Sequence, residues 1–223
     1  MNTYFGCHNH TMYSNLRLLD CINKPETLID KAIELGLSGI AITDHESLSA
    51  HMTVNQYAKK IKEKYPNFKI ALGNEIYLTD DRSTGQKYYH FILIAKDAIG
   101  YRALKELSSI AWQNLYIDRK MERVPLLKSE LKPIVEKYKG HLIATTACIG
   151  GELGTCLLKA VEYREQENSY ELYQTLKQID TFLTFCQDLF GEDFYLEIAP
   201  STAADQKLVN HMIYKIGRSY GIK

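Results

Sequence analysis

Two histidines one residue apart, His8 and His10, stand near the start of the chain in "GCHNHTMYSNLRLLD". In an extended segment residues i and i+2 project to the same side, so the two imidazoles present paired nitrogen donors. Other groups of the same chemistry recur where apolar runs end. Asp44 and His45 follow "GIAIT", Glu75 follows "IALGN", His90 sits in "YYHFILIA", Cys148 follows "LIATTA", and Glu197 lies in "FYLEIAP". Imidazoles, carboxylates and a thiol make a borderline donor set, suited to zinc, manganese or iron and less suited to calcium. One ion needs only three or four such donors. The surplus predicts two or three ions sharing bridging carboxylates, an arrangement used to cleave phosphate esters with metal-activated water. Asp20 joins this set if the loop "MYSNLRLL" folds back toward the histidines.

Those residues need elements that bring them to one place. "PETLIDKAIELGLSGIAIT" reads as a helix opened by Pro25 and stopped by Gly36, followed by a continuously apolar strand. "LSAHMTVNQYAKKIKEKY" reads as a helix, "FKIALGNEIYL" and "KYYHFILIAKD" as strands joined by the turn-rich "TDDRSTGQ". The periodicity predicts a helix from Ile99 to about Asp118 and another over "LKSELKPIVEKY". It then predicts a strand in "GHLIATTAC", a long helix over about 169–189, a strand in "DFYLEIAP" and a last helix over about 202–220. Alternating strands and helices predict one α/β domain with a largely parallel sheet and one hairpin, either doubly wound or closed as a barrel. In such folds functional groups gather at the carboxyl ends of the strands, so the scattered donors are expected to meet.

The bulk composition narrows the classes. The 223 residues carry 27 Lys plus Arg and 27 Asp plus Glu, so there is no net pull toward nucleic acid or an anionic membrane. No run of about 20 apolar residues and no leader pattern is present, which predicts no membrane span and a cytoplasmic chain. The five cysteines have no CxxC spacing and make neither a disulfide framework nor a zinc ribbon.

Each candidate also has a plainer role. Asp44 could cap the next helix. Cys148 taken alone reads as a small buried hydrophobe, and Glu75 as a solvated strand-end carboxylate. Glu197 is evenly balanced between lining the site and supporting a ligand from behind. His51, His141 and His211 read as structural or surface residues. "KKIKEK" is the solvated face of a helix, and "CIGGELG" offers backbone N–H groups to an anion but suits a simple turn better. "IDRKMERVP" places Arg119, Lys120 and Arg123 on a connector where phosphates could be met.

"HNHTMYSNLRLLD", "ITDHES", "GNEIYL", "YYHFILIAKD" with "GYRALKELSS", and "LIATTACIGGEL", in that order, resemble the PHP (polymerase and histidinol phosphatase) domain, in the version found at the N-terminus of bacterial or phage-type DNA polymerase III alpha subunits. The resemblance runs through essentially the whole chain, read as a single domain over 1–223. It implies a distorted seven-stranded (β/α) barrel with up to three divalent ions, zinc, manganese or iron, at its mouth. It implies His8, His10, Asp20, His45, Glu75, His90 and Cys148 as metal ligands, with Asp44 and Glu197 behind them and His10, Glu75 and His45 closest to the chemistry. Asp20 is one residue farther from the His-x-His pair than the usual polymerase spacing.

The family's last motif, Asp-x-His, occurs nowhere in the sequence. The expectation is therefore a piece truncated before its last strand, without the polymerase domains and with reduced metal occupancy. The function implied is a metal-dependent phosphoesterase, acting in DNA replication as a 3′ to 5′ proofreading exonuclease within a DNA-directed DNA polymerase. The alternatives are an inactive scaffold that stabilises the polymerase and docks a separate exonuclease subunit, or a free-standing phosphatase of the histidinol-phosphate type. The partners implied are DNA, the polymerase domains of the same chain and that exonuclease subunit, with no membrane.

Overall fold

The computed structural model describes residues 4–16, 21–83, 87–118 and 121–223. The elements follow the predicted alternation for most of their length. β1 (Phe5–Gly6) and a 3-10 turn at Met12–Leu16 precede α1 (Pro25–Glu34), β2 (Gly39–Ile42), α2 (His51–Ile61), β3 (Lys69–Thr79) and β4 (Tyr89–Ala95). Next come α3 (Ala98–Gln113), β5 (Tyr116–Asp118), β6 (Met121–Arg123), β7 (Leu126–Leu127), α4 (Lys128–Lys137) and β8 (Leu142–Thr145). α5 (Glu152–Glu165), α6 (Ser169–Phe190), β9 (Phe194–Tyr195) and α7 (Ala204–Tyr220) complete the chain. Pro25 occupies the first turn of α1, where its missing N–H costs nothing. The Asp97 carboxylate accepts from the N–H groups of Ile99 and Gly100 and so starts α3.

Seven strands form one sheet in the order β1-β2-β3-β4-β8-β9, with β7 paired to β3. The pairs β1–β2, β2–β3 and β8–β9 are parallel, whereas β4 runs antiparallel to both β3 and β8. The sheet is thus mixed, because the β3–β4 connection is a hairpin and the chain returns to β8 through α3 and α4. It is also curled: His8, just beyond β1, lies 2.6 Å from Glu197, just beyond β9, although the two strands are the ends of the sheet path.

Alternation along each strand separates the two faces. On the outer face Ile76, Leu78, Phe91 and Leu93 join the main core with Leu104, Leu107, Phe182 and Leu183 from the helices. Ile40 and Ile42 pack outward on Ile29 and Ala32 of α1 and Val54 of α2. Each fully buried aliphatic side chain of this kind contributes roughly 1.5–3 kcal/mol. On the inner face Ala41, Ile92, Ile94 and Ala147 form a smaller cluster with Phe5, Ala71 and Ile143. The inside of the curl opens into a cavity of about 1490 Å³ that reaches His8, His10, Cys148 and Glu197.

Three sequence expectations need correction. α3 ends at Gln113 rather than near Asp118, because Tyr116–Asp118 leaves the helix to pair with Met121–Arg123 in a two-stranded hairpin. In "DFYLEIAP" only Phe194–Tyr195 pairs as a strand. Leu196 donates its N–H to the Lys223 carbonyl instead of continuing on β8. The segment after "CIGG" is a full helix, α5, which the glycine-rich start concealed. Arg119 and Lys120 lie outside the described residues. No helix among the described residues is long and apolar enough to cross a membrane.

Candidate metal centre

β3 and β4 supply the centre. Glu75 and Tyr77 stand on the same face of β3, and the register opposes Tyr77 to His90 and Glu75 to Ile92, so the two carboxylate oxygens point along the inner face toward His90. β2 delivers His45 just beyond its end. Glu75 donates its backbone N–H to the Asp44 carbonyl and Glu46 donates to the Glu75 carbonyl, which pins the loop to β3. Glu46 holds a left-handed backbone (φ 48°) at this turn, as Ala147 does (φ 56°) just before Cys148. Non-glycine residues in that region mark loops whose shape is imposed by their surroundings.

Glu75 is fully buried, and ring nitrogens of four histidines surround its carboxylate. Around Oε2 lie His10 Nε2 at 2.7 Å, His45 Nδ1 at 3.0 Å and His8 Nε2 at 3.3 Å. His90 Nδ1 is 2.7 Å from Oε1, yet no donor is aligned to that oxygen, which is left as a buried atom without a hydrogen bond. His8 Nε2 and His10 Nε2 also face each other at 3.0 Å. Three nitrogens on one oxygen exceed its two lone pairs, and two imidazole nitrogens pointing at each other gain nothing that water would not give. Both features fit divalent cations bridged by Glu75. His8, His10 and Glu75 bring donor atoms within 4.8 Å of one another, and so do His45, Glu75 and His90.

The other sequence candidates fall around this core. Cys148 Sγ lies 3.8 Å from His90 Nδ1 and accepts from the Gly150 N–H. Burial raises the Cys148 thiol, and the hydrogen bonds from His90 and Gly150 outweigh it and lower its pKa, favouring a thiolate. The Gly-Gly pair is there for space: a Cβ on Gly150 would sit 3.1 Å from His90 Nδ1 and one on Gly151 2.1 Å from the Thr146 carbonyl. Glu197 accepts from His8 Nδ1 at 2.6 Å and from Thr145 Oγ1 at 2.8 Å, so it orients the His8 ring from behind. Asp20 lies outside the described residues.

Asp44 does not cap the following helix. Its buried carboxylate accepts from Thr11 N–H (2.6 Å), Thr11 Oγ1 (2.8 Å) and Ser14 Oγ (2.8 Å), tying the chain after His10 to the end of β2. His51 is buried on the Gly73 carbonyl, and burial lowers its pKa to about 4, so it is a neutral structural residue. His141 pairs with Asp97 at the surface.

Several supporting residues escaped the sequence reading. The Tyr77 hydroxyl lies 3.2 Å from His45 Nδ1, and its ring stacks on His90 with centroids 4.7 Å apart and planes at 12°. Asn74 donates to the carbonyls of Asp44 and Ser47, fixing the His45 loop. Tyr77 was legible in principle, being two residues after Glu75 on one strand face. The roles of Thr11, Ser14 and Asn74 depend on contacts about 30 residues distant, which no local pattern encodes.

Two predictions arise here. Glu197→Ala is expected to lower the affinity for zinc or manganese by ~10–100-fold, because the His8 tautomer and ring lose the acceptor that fixes them. Competition with a chromophoric chelator measures this, and an unchanged affinity would remove Glu197 from the centre. The second concerns pH. Burial pulls His8 down, but Glu197 and Glu75 more than offset it and push it up to about 10; His90 is likewise lowered by burial but raised by Cys148 and Glu75 to about 9. Folded pKa values above the unfolded 6.5 give stability that is full below about pH 6.5 and lost as pH rises toward 9–10. The metal-free chain should therefore melt at progressively lower temperature from pH 6.5 to 10, by ~2–4 °C for each kcal/mol lost. His8→Asn and His90→Asn should each flatten that slope, and a slope unchanged in both variants would contradict the assignment.

The curled mixed sheet gathers histidines around one buried carboxylate, a donor set that could hold divalent metal ions. The family model described as PHP domain matches residues 6–201, and the chain belongs to that family. It is 38% identical over 230 residues to "Probable DNA polymerase YorL" of Bacillus subtilis and, to the same extent, to "DNA-directed DNA polymerase" of Bacillus phage SPbeta. It is 32% identical over 226 residues to "DNA polymerase III subunit alpha" of Borreliella burgdorferi. These matches cover 98% of this chain but only 17–18% of the relatives, so the chain spans less than a fifth of their length. Among solved structures, a Bifidobacterium adolescentis protein proposed to be a metal-dependent phosphoesterase shares the fold. That match has a TM-score of 0.50 and 14% identity, covering 98% of this chain and 84% of that one.

Proposed function

We propose that the chain is the metal-dependent phosphoesterase unit of a polymerase of the DNA polymerase III alpha type, and that it removes nucleotides from 3′ DNA ends. The observation that carries this reading is the Glu75 carboxylate enclosed by His8, His10, His45 and His90. His8, His10 and Glu75 would hold one divalent ion and His45, Glu75 and His90 a second, with Cys148 beside His90 and Asp20 as a further ligand. Such ions, zinc, manganese or iron, supply Lewis acidity toward a phosphate ester and the water that cleaves it.

The chain's own residues do the positioning. Glu197 and Thr145 hold His8 with Nε2 turned to Glu75. Tyr77, kept protonated by burial, braces His45 through its hydroxyl and His90 through its ring. Asp44 holds the backbone after His10. Full burial of Glu75 keeps competing water from the carboxylate that both ion sites share. His10 and His45, whose nitrogens stand closest to Glu75 Oε2, are assigned with Glu75 to the reacting centre. In the longer chain the partners are DNA and the polymerase domains, with a proofreading exonuclease subunit as a further candidate, in the cytoplasm.

The test is to load the chain with manganese or zinc and follow a 5′-labelled single-stranded oligonucleotide. A ladder shortened from the 3′ end, abolished by chelation and by Glu75→Gln, is the expected result. Tight metal binding without hydrolysis would overturn the enzymatic reading and leave a scaffold.

A further inference from the structure

We propose that the rim beside the His45, Glu75 and His90 half of the centre is a platform for single-stranded DNA, with Trp112 stacking on a base and Arg123 pairing with a phosphate. The proposal rests on the reading of this centre as one that acts on DNA ends.

Trp112, near the end of α3, is 41% exposed, and its position is fixed: the indole N–H donates to the Glu46 carbonyl at 3.2 Å, one residue from His45. A partly exposed indole is thus held beside the His45 loop, while its polar edge is satisfied. Leu115 and Ile117, 38% and 64% exposed, follow it along the chain, with Ile117 on the hairpin face opposite Arg123. The same chain then turns into the β5–β6 hairpin, where Tyr116 opposes Arg123.

Arg123 closes a second path to the centre. Its guanidinium lies over the Tyr88 ring at 5.1 Å. Tyr88 stacks on Tyr77 (5.1 Å, 11°), and Tyr77 stacks on His90 (4.7 Å, 12°). A column of parallel planes therefore runs from a ligand imidazole outward and ends in a cation. Glu122 precedes Arg123 on the strand and so points to the opposite face of the hairpin.

An exposed aromatic and a cation on one rim is the pairing that single-stranded nucleic acid uses. Bases stack on aromatic faces without regard to sequence, and the backbone is met by a basic side chain. A small phosphate monoester would not need the exposed indole. The overall charge of zero is compatible, because the attraction required is local.

The chain contains one tryptophan, so its emission reports this rim alone. The experiment titrates the chain, in chelator, with an oligothymidylate of about eight nucleotides and with an abasic strand of equal length. Saturable quenching by oligothymidylate, and binding ~5- to 150-fold weaker for the abasic strand, are expected from stacking of one base. By anisotropy of labelled oligothymidylate, Trp112→Ala should weaken binding by the same factor and Trp112→Phe should restore most of it. Arg123→Ala should weaken binding and reduce the salt slope by ~0.7, the loss of one phosphate contact.

Unchanged emission with DNA, equal affinity for the two strands, or full affinity in Trp112→Ala would overturn the proposal and leave the rim as a protein-docking face. Quenching that persists where metal-loaded chain fails to hydrolyse DNA would sink the phosphoesterase reading and leave the platform. Hydrolysis without quenching would overturn the platform alone.

Discussion

Glu75→Gln is expected to reduce bound zinc or manganese to background and to abolish hydrolysis of DNA ends, while the chain stays folded. Glutamine keeps the volume but replaces one oxygen with an NH₂ group, which cannot accept from or bridge anything. That group would then face ring nitrogens at the distances now spanned by 2.7–3.3 Å contacts. Because Glu75 serves both candidate ion sites, the loss should be greater than the ~10–100-fold typical of a partner behind the ligands. The four histidines hold Glu75 well below the usual carboxylate range despite its burial, so it is a fixed negative charge among imidazoles. Elemental analysis after gel filtration, beside a thermal melt, measures the outcome. A variant that retains its full metal complement would place the ions elsewhere and remove the bridging role.

Asp44→Ala should be the most destabilising single change at the centre, by ~2–4 kcal/mol. The carboxylate is inaccessible to water and accepts three hydrogen bonds, from Thr11 N–H, Thr11 Oγ1 and Ser14 Oγ. Truncation strands those donors in the interior and opens a space where no water enters freely. Asp44→Asn should cost about half as much, because its oxygen still serves Thr11 N–H and Ser14 Oγ, and the Thr11 hydroxyl can turn to accept from the amide. Urea midpoints for the two variants give the comparison. Equal and small losses would show that the loop after His10 is held by other contacts. Because the same carboxylate anchors His10 and precedes His45, the alanine variant should also bind metal more weakly, whereas a surface capping residue would leave metal binding untouched.

The hydrophobic periodicity of the chain determined a great deal by itself. Helices α1, α2, α4, α6 and α7 and strands β2, β3, β4 and β8 are written in local spacing, because burying one face of a helix or strand needs only the residues of that element. The appearance of His8, Asp44, Cys148 and Glu197 at or beside strand ends was likewise visible, since apolar runs and the polar groups that stop them lie side by side in sequence, whereas Glu75, read as a strand-end carboxylate, sits inside β3. The resemblance of the motifs to the PHP domain added the family. That four imidazoles from three parts of the chain enclose one carboxylate, however, is a property of the curl of the sheet, which brings the residues after β1 and β9 within 2.6 Å.

Tertiary structure alone decided the antiparallel setting of β4 between β3 and β8, because strand direction depends on which partner is reached and not on the strand's own residues. It decided that Tyr116–Asp118 leaves the helical periodicity to pair across a hairpin, a case of pairing overriding local preference. It also decided the duties of Asp44, Tyr77 and Trp112. A carboxylate on a strand end, a tyrosine in a β-run and a tryptophan on an amphipathic helix look alike in sequence whether they cap, fill or support. What distinguishes them is the group each one meets across the fold: the Thr11 and Ser14 hydroxyls, the His45 and His90 rings, and the Glu46 carbonyl.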